Sequence, residues 1–194
     1  GIYVQNEIPN YDAWLGSGHA DRTAEPFNHW NDEDPAEVPA SCARCHSTPG
    51  FQDYVGADGS AEFEVNAAAP IGSVIECQAC HNTSSDDLST VIFPSGAQID
   101  DLGAEALCMT CHQGRASGGG VDTLIEATAV GDDVVSTDLH FQNIHYFAAA
   151  ATLYAGEAGG GYEYADETYD WRFRHVPGKD TCIGCHDAHS LEVK

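Results

Sequence analysis

The chain has 194 residues, and its 31 acidic side chains outnumber the 7 basic ones to give a formal charge of -24. No Lys/Arg cluster exists to neutralise phosphates, which argues against nucleic acid as a partner, and an anionic membrane surface would repel the chain. No apolar run approaches the roughly 20 residues that span a bilayer, so no membrane span is expected.

Residues 1–40 read as an N-terminal arm, polar and aromatic up to Trp30, without cysteine, and carrying His19 in Ser17-Gly18-His19-Ala20 and His29 before Trp30. The start, Gly1-Ile2-Tyr3-Val4, has neither the charged nor the apolar region of a signal peptide and reads as mature sequence after cleavage. An acidic loop follows to Pro39, which suits the first turn of a short helix over Cys42-Ala43-Arg44-Cys45-His46. Thr48-Pro49-Gly50 is expected to end that turn, Phe51 to Val55 to add one helical turn, and Glu62-Phe63-Glu64-Val65 to form a short strand by its alternation.

The same five-residue pattern recurs as Cys77-Gln78-Ala79-Cys80-His81, followed by a predicted loop over residues 82–89. It recurs again as Cys108-Met109-Thr110-Cys111-His112 at the end of a predicted helix, with Gly114 and Gly118-Gly119-Gly120 as the stop. The next interval is longer and holds His140, His145 and His175. In it, residues 143–154 read as a helix starting near His145 and stopped by Gly156, and residues 162–171 read as a hairpin. The last copy is Cys182-Ile183-Gly184-Cys185-His186, with His189 three residues on.

The four copies use all 8 cysteines. Cys-x-x-Cys-His is the attachment pattern of c-type haem. On one helical turn, residues i, i+3 and i+4 share a face, so both thiols reach the haem edge while the imidazole reaches the iron. Disulfides or zinc sites also use Cys-x-x-Cys, but neither needs the trailing histidine. The expectation is therefore four covalently attached haems, with thioethers at Cys42, Cys45, Cys77, Cys80, Cys108, Cys111, Cys182 and Cys185, and proximal iron ligands at His46, His81, His112 and His186.

So large an apolar load in 194 residues must form much of the core. The fold class expected is a multihaem cytochrome c, one domain over residues 1–194, mostly irregular, with short α-helices at the motifs, a few short strands and a haem-packed core. The only methionine, Met109, sits between its own motif cysteines, and both lysines lie near the C-terminus. The sixth iron ligands are thus sought among the six histidines outside the motifs. His19, His145, His175 and His189 are preferred, with His29 and His140 as alternates. A filled iron carries electrons and has no vacancy for substrate, so no enzyme activity and no catalytic residues are expected. His189 shares part of a helical face with His186 and cannot cap the same iron from the same side, which points it at a neighbouring haem. Paired carboxylates at Asp86-Asp87, Asp100-Asp101 and Asp132-Asp133 are candidate holders of divalent cations.

The segments Ser17-Gly18-His19-Ala20, Ser41 to Phe51, Cys111-His112-Gln113-Gly114-Arg115, residues 143–152, Gly161-Tyr162-Glu163-Tyr164 and the ending Cys185-His186-Asp187-Ala188-His189-Ser190-Leu191 resemble extracellular multihaem cytochromes of the OmcE type. The resemblance covers most of the chain. It implies a homopolymer, an extracellular filament with a continuous chain of bis-histidine haems, and one distal ligand donated between subunits, for which His19 or His29 is the choice here. It also implies an extracellular electron acceptor or donor and an extracellular or cell-surface location. The alternatives are a monomeric periplasmic tetrahaem carrier and, further off, a multihaem reductase, for which Arg115, Arg172 and Arg174 are the available cations.

Overall fold

The computed structural model describes residues 8–131, 133–174 and 176–194. His175 and Asp132, both named above, lie outside the described residues. Among those described, the elements in chain order are helices α1 (Tyr11–Leu15) and α2 (Glu25–Asn28), strand β1 (Glu37–Val38), helices α3 (Ala40–His46) and α4 (Thr48–Tyr54), and strand β2 (Ala69–Pro70). Helices α5 (Cys77–Cys80) and α6 (Thr83–Asp87), strands β3 (Val91–Ile92) and β4 (Gln98–Ile99), and helices α7 (Glu105–Cys111), α8 (Gly118–Thr128), α9 (Ala149–Ala158) and α10 (Cys182–Cys185) complete the order. The expected irregular character with short helices and few short strands is present.

These elements fall into two compact units. One comprises the described residues up to Leu88 together with Thr181–Lys194, and the other Ser89–Asp180. The first unit therefore carries the first, second and fourth motifs, and the second unit carries the third.

In the first unit, β1 pairs antiparallel with β2, Val38 opposite Ala69. This pair lies on α3, where Val38, Ala43 and Ala69 are buried and Trp30, Cys42 and Val65 pack around them. Helix α4 follows α3 after one residue. Ser47 makes the break: its backbone is extended and its Oγ accepts from Gly50 N, with Pro49 inside the first turn. Thr48-Pro49-Gly50 thus begins a helix instead of ending a turn, because a serine cap followed by proline is a start signal. Gly50 is where the two helices touch: a Cβ there would lie 2.4 Å from the backbone carbonyl and from the Cβ of Ala43.

The chain after α4 is held by Asp53, which is 8% exposed. Its carboxylate accepts from the side-chain amide (2.7 Å) and the backbone N–H (2.8 Å) of Asn66, and from the Ser60 hydroxyl (2.9 Å). The Asn66 amide bond leads in holding this carboxyl below the ordinary carboxylate range, against burial, which pushes it up. Within this clamp the expected strand at residues 62–65 does not form; Phe63 takes a positive φ of 67° and sets its ring edge-on to Tyr54. Thr48 ties α4 to the second motif, donating through Oγ1 to Val74 O (2.6 Å) and accepting from Glu76 N (2.8 Å). Residues 83–87, expected as a loop, form α6, because Asn82 caps it by accepting from Ser85 N.

In the second unit, β3 and β4 form an antiparallel pair, Val91 opposite Ile99, and Phe93 packs on Tyr154 with ring centroids 6.0 Å apart. Helix α7 forms where the sequence places a helix, over residues 103–112. Gly114 ends that region at φ 84°, where a Cβ would collide with Ile144 at 2.8 Å, so glycine is required by conformation and by space. The triple glycine opens α8, capped by Ser117 Oγ accepting from Gly120 N, and does not serve as a stop. Helix α9 starts at Ala149, six residues later than expected, and is interrupted at Ala155. Residues 162–171 form no strand pair, so the expected hairpin is not present. Arg172 lies over the Tyr154 ring at 4.1 Å and pairs with Glu157 at 3.3 Å.

Candidate functional site

Each motif occupies one helical turn in α3, α5, α7 or α10, whose common feature is the backbone bond from the motif histidine N–H to the first cysteine carbonyl. That bond measures 2.8 Å from His81 to Cys77, 3.0 Å from His112 to Cys108 and 2.7 Å from His186 to Cys182. It fixes the imidazole beside both thiols. Seven of the eight cysteines are of intermediate exposure and Cys77 is exposed, so none is sealed in the core.

The rings themselves are oriented by main-chain oxygens. His46 Nδ1 donates to Pro26 O (2.9 Å), His112 Nδ1 to Phe147 O (3.2 Å) and His186 Nδ1 to Leu191 O (3.1 Å). A carbonyl only accepts, so in each case the proton sits on Nδ1 and the Nε2 lone pair is presented for a metal. Such a partner also raises ligand basicity and stops ring rotation. His46 is further packed edge-on by Trp30 at 5.3 Å, and Trp30 also meets His29 edge-on at 4.8 Å.

The candidate sixth ligands stand as follows. His189 lies against His81, the ring centroids 6.0 Å apart and the planes within 11° of parallel. The fold thus brings an imidazole from beyond the fourth motif to the histidine of the second. His19 is half-buried and its backbone oxygen accepts from Ile75 N, which anchors the arm beside the second motif. Trp14 Nε1 donates to Ile75 O (2.9 Å), and Arg22 holds Glu76 (2.9 Å) and the Gly72 carbonyl. His29 is exposed, with Nδ1 on the Glu25 carboxylate. His145 does not start a helix. It sits in an irregular stretch at φ 87°, its N–H donating to Asn143 Oδ1, in the segment that supplies the Phe147 carbonyl to His112. His140 is exposed.

Among the described residues no three His, Cys, Asp or Glu side chains gather as they would around a lone metal ion. Asp100 is instead tied by Gln98 and Thr90, which hold its carboxyl below the usual range. Sequence reasoning missed the three orienting carbonyls, which carry no residue signature. It also missed Trp30 and Asp187. The aromatic spacing of His29-Trp30 is a signal that would have found the first, and the Asp-x-x-Ser turn pattern the second.

The donor set of thiol pairs and Nδ1-tethered imidazoles fits covalently attached c-type haem. Comparison with known proteins agrees. Residues 26–113, spanning the first three motifs, match the family described as cytochrome c7 and related cytochrome c. The chain is similar to the C-type polyheme cytochrome OmcB of Geobacter sulfurreducens, 29% identical over 210 residues, covering 86% of this chain and 26% of that protein. It is also similar to OmcC of the same species, 26% identical over 220 residues, covering 90% of this chain and 27% of that protein. The chain thus spans about a quarter of the length of these curated relatives. No solved structure matches it. No helix among the described residues is long and apolar enough to cross a membrane.

Proposed function

We propose that the chain works as one tetrahaem domain over residues 1–194. In this reading it polymerises with itself into an extracellular filament of the OmcE kind and conducts electrons to or from an extracellular partner. The observation that carries this is the shared arrangement of the motif turns, with Nδ1 of three motif histidines spent on backbone oxygens and Nε2 reserved for iron. Bound c-type haem supplies one-electron redox chemistry. The chain's own contribution is placement: the eight thiols would hold the haems, the four motif histidines would each supply one iron ligand, and His19, His145, His175 and His189 would supply the others, with His29 and His140 as alternates. His189 serves the second motif's iron, opposite His81.

What supports His29, an alternate, as the ligand donated in trans is its exposure, together with the Glu25 carboxylate that engages Nδ1 and not Nε2. Divalent cations would let surfaces of a chain at charge -24 approach one another. A monomeric periplasmic carrier shares the same haem chemistry and differs only in assembly. A reductase is less well supported, because Arg172 and Arg174 are committed to Glu157 and Asp180 (3.7 Å) and are poorly placed to bind an anion.

Negative-stain electron microscopy of the exported protein, with divalent cations present, separates these. Regular thin filaments are expected. Discrete particles at high concentration would favour the soluble carrier and sink donation in trans.

A further inference from the structure

The nine residues from His186 to Lys194 fold back into a hook. Asp187 N donates to Glu192 O (2.8 Å), Leu191 N to Asp187 O (2.9 Å) and Lys194 N to Cys185 O (2.8 Å), and His186 pairs with Val193 as an isolated antiparallel bridge. Leu191 turns the chain at a positive φ of 64°. At the centre is the Asp187 carboxylate. Its Oδ1 accepts from His189 N (3.1 Å), Ser190 N (2.9 Å) and Ser190 Oγ (3.2 Å), while Oδ2 faces Lys194 Nζ at 3.9 Å.

The consequence is that one side chain governs two imidazoles. On one side the turn it closes carries the Leu191 carbonyl, which holds Nδ1 of His186. On the other it pins the backbone of His189, whose ring stands 6.0 Å from His81 and nearly parallel to it. A histidine on a loop loses much conformational freedom when it binds a metal, and a loop already folded in the binding geometry has lost that freedom beforehand. Outer groups that orient a metal ligand typically contribute about 10–100-fold in affinity.

We infer that Asp187 is the positioning residue for the second iron's distal ligand, presetting His189 opposite His81 while steadying His186 on the fourth motif. The proposal rests on the reading of His189 as an axial ligand. It assigns the work to the position of the acceptor oxygen. The Lys194 contact is long and half-exposed, and contributes little.

The test compares Asp187→Ala, Asp187→Asn, Asp187→Glu and His189→Ala as exported holoproteins with the same haem count per chain as the parent by intact mass. Three readouts are taken: the high-spin ferric fraction, carbon monoxide binding by the reduced protein, and hydrogen exchange at the amides of residues 189 and 190. Asp187→Ala is expected to raise the carbon-monoxide-binding fraction from near zero toward about one haem in four, with faster exchange at both amides. Asp187→Asn, whose Oδ1 accepts the same bonds, is expected to restore the parent behaviour. Asp187→Glu keeps the charge but displaces the oxygen, and is expected to resemble the alanine variant; it serves if Asp187→Ala does not accumulate. A fully low-spin Asp187→Ala beside a His189→Ala that does bind carbon monoxide would overturn the positioning role alone. The same holds for Asp187→Glu behaving as the parent. A low-spin His189→Ala would overturn the ligand reading and the positioning role with it.

Discussion

Gly50→Ala is expected to destabilise the haem-bearing first unit severely. The added Cβ would sit 2.4 Å from the carbonyl carbon, carbonyl oxygen and Cβ of Ala43, itself fully buried at 0% exposure. None of these atoms can swing aside by a rotamer change, so relief requires α3 and α4 to separate. Overpacking of a tight core site costs about 1–3 kcal/mol and occasionally more, and a backbone collision belongs at the upper end. A chain of this size loses roughly 2–4 °C in Tm per kcal/mol, so the loss is easily read by denaturant or thermal unfolding of the holoprotein. Separation would also disturb Cys42, which packs on the same cluster as Ala43, and poorer haem incorporation at the first motif should accompany the loss. Unfolding at the parent midpoint would show that the two helices do not cross at Gly50.

His189→Ala is expected to have the largest effect on the iron centres. With His81 alone on its iron, that haem should become high-spin and bind carbon monoxide when reduced, at about one haem in four of the total. The neighbouring proximal bonds do not depend on the His189 ring: His186 keeps the Leu191 carbonyl, and the Asp187 bonds are made to backbone N–H groups at 189 and 190. The defect should therefore stay local, leaving the other haems low-spin. Added imidazole should restore the low-spin spectrum, since it supplies the missing nitrogen without the tail. An unchanged spectrum at full haem occupancy would remove His189 from the ligand set.

The chemistry-bearing part of the structure was legible because it is local. A Cys-x-x-Cys-His run needs one helical turn and nothing else, and all four copies form that turn in α3, α5, α7 and α10. The direction of His189 away from His186 was also legible from spacing, and it does lie against another motif's histidine, His81. What spacing could not supply was which motif, because that depends on how the chain after α10 folds back onto residues far away in sequence.

The misread elements share a cause. Serine and asparagine at 47, 82 and 117 cap helices in the structure, yet beside Pro49 and among Asn82-Thr83-Ser84 and Gly118-Gly119-Gly120 they looked like turn formers. The same side-chain oxygens favour turns and helix starts, and local composition does not separate the two. The alternation at residues 62–65 failed for another reason. A strand needs a partner edge, and here Phe63 N–H donates to Tyr54 O (2.7 Å) at a positive φ, between Ser60 and Asn66, which Asp53 holds. The orienting carbonyls of Pro26, Phe147 and Leu191 lie beyond sequence reading altogether, since any residue carries one and only tertiary placement selects it.

The central claim is four haems per chain, each iron held by two histidines. Spin-quantified low-temperature electron paramagnetic resonance of the fully oxidised holoprotein tests it most directly. The account predicts low-spin ferric signal equal to four centres per chain with no high-spin component. A stoichiometric high-spin signal, or fewer than four low-spin centres at full occupancy, would contradict it and return an open iron site to consideration.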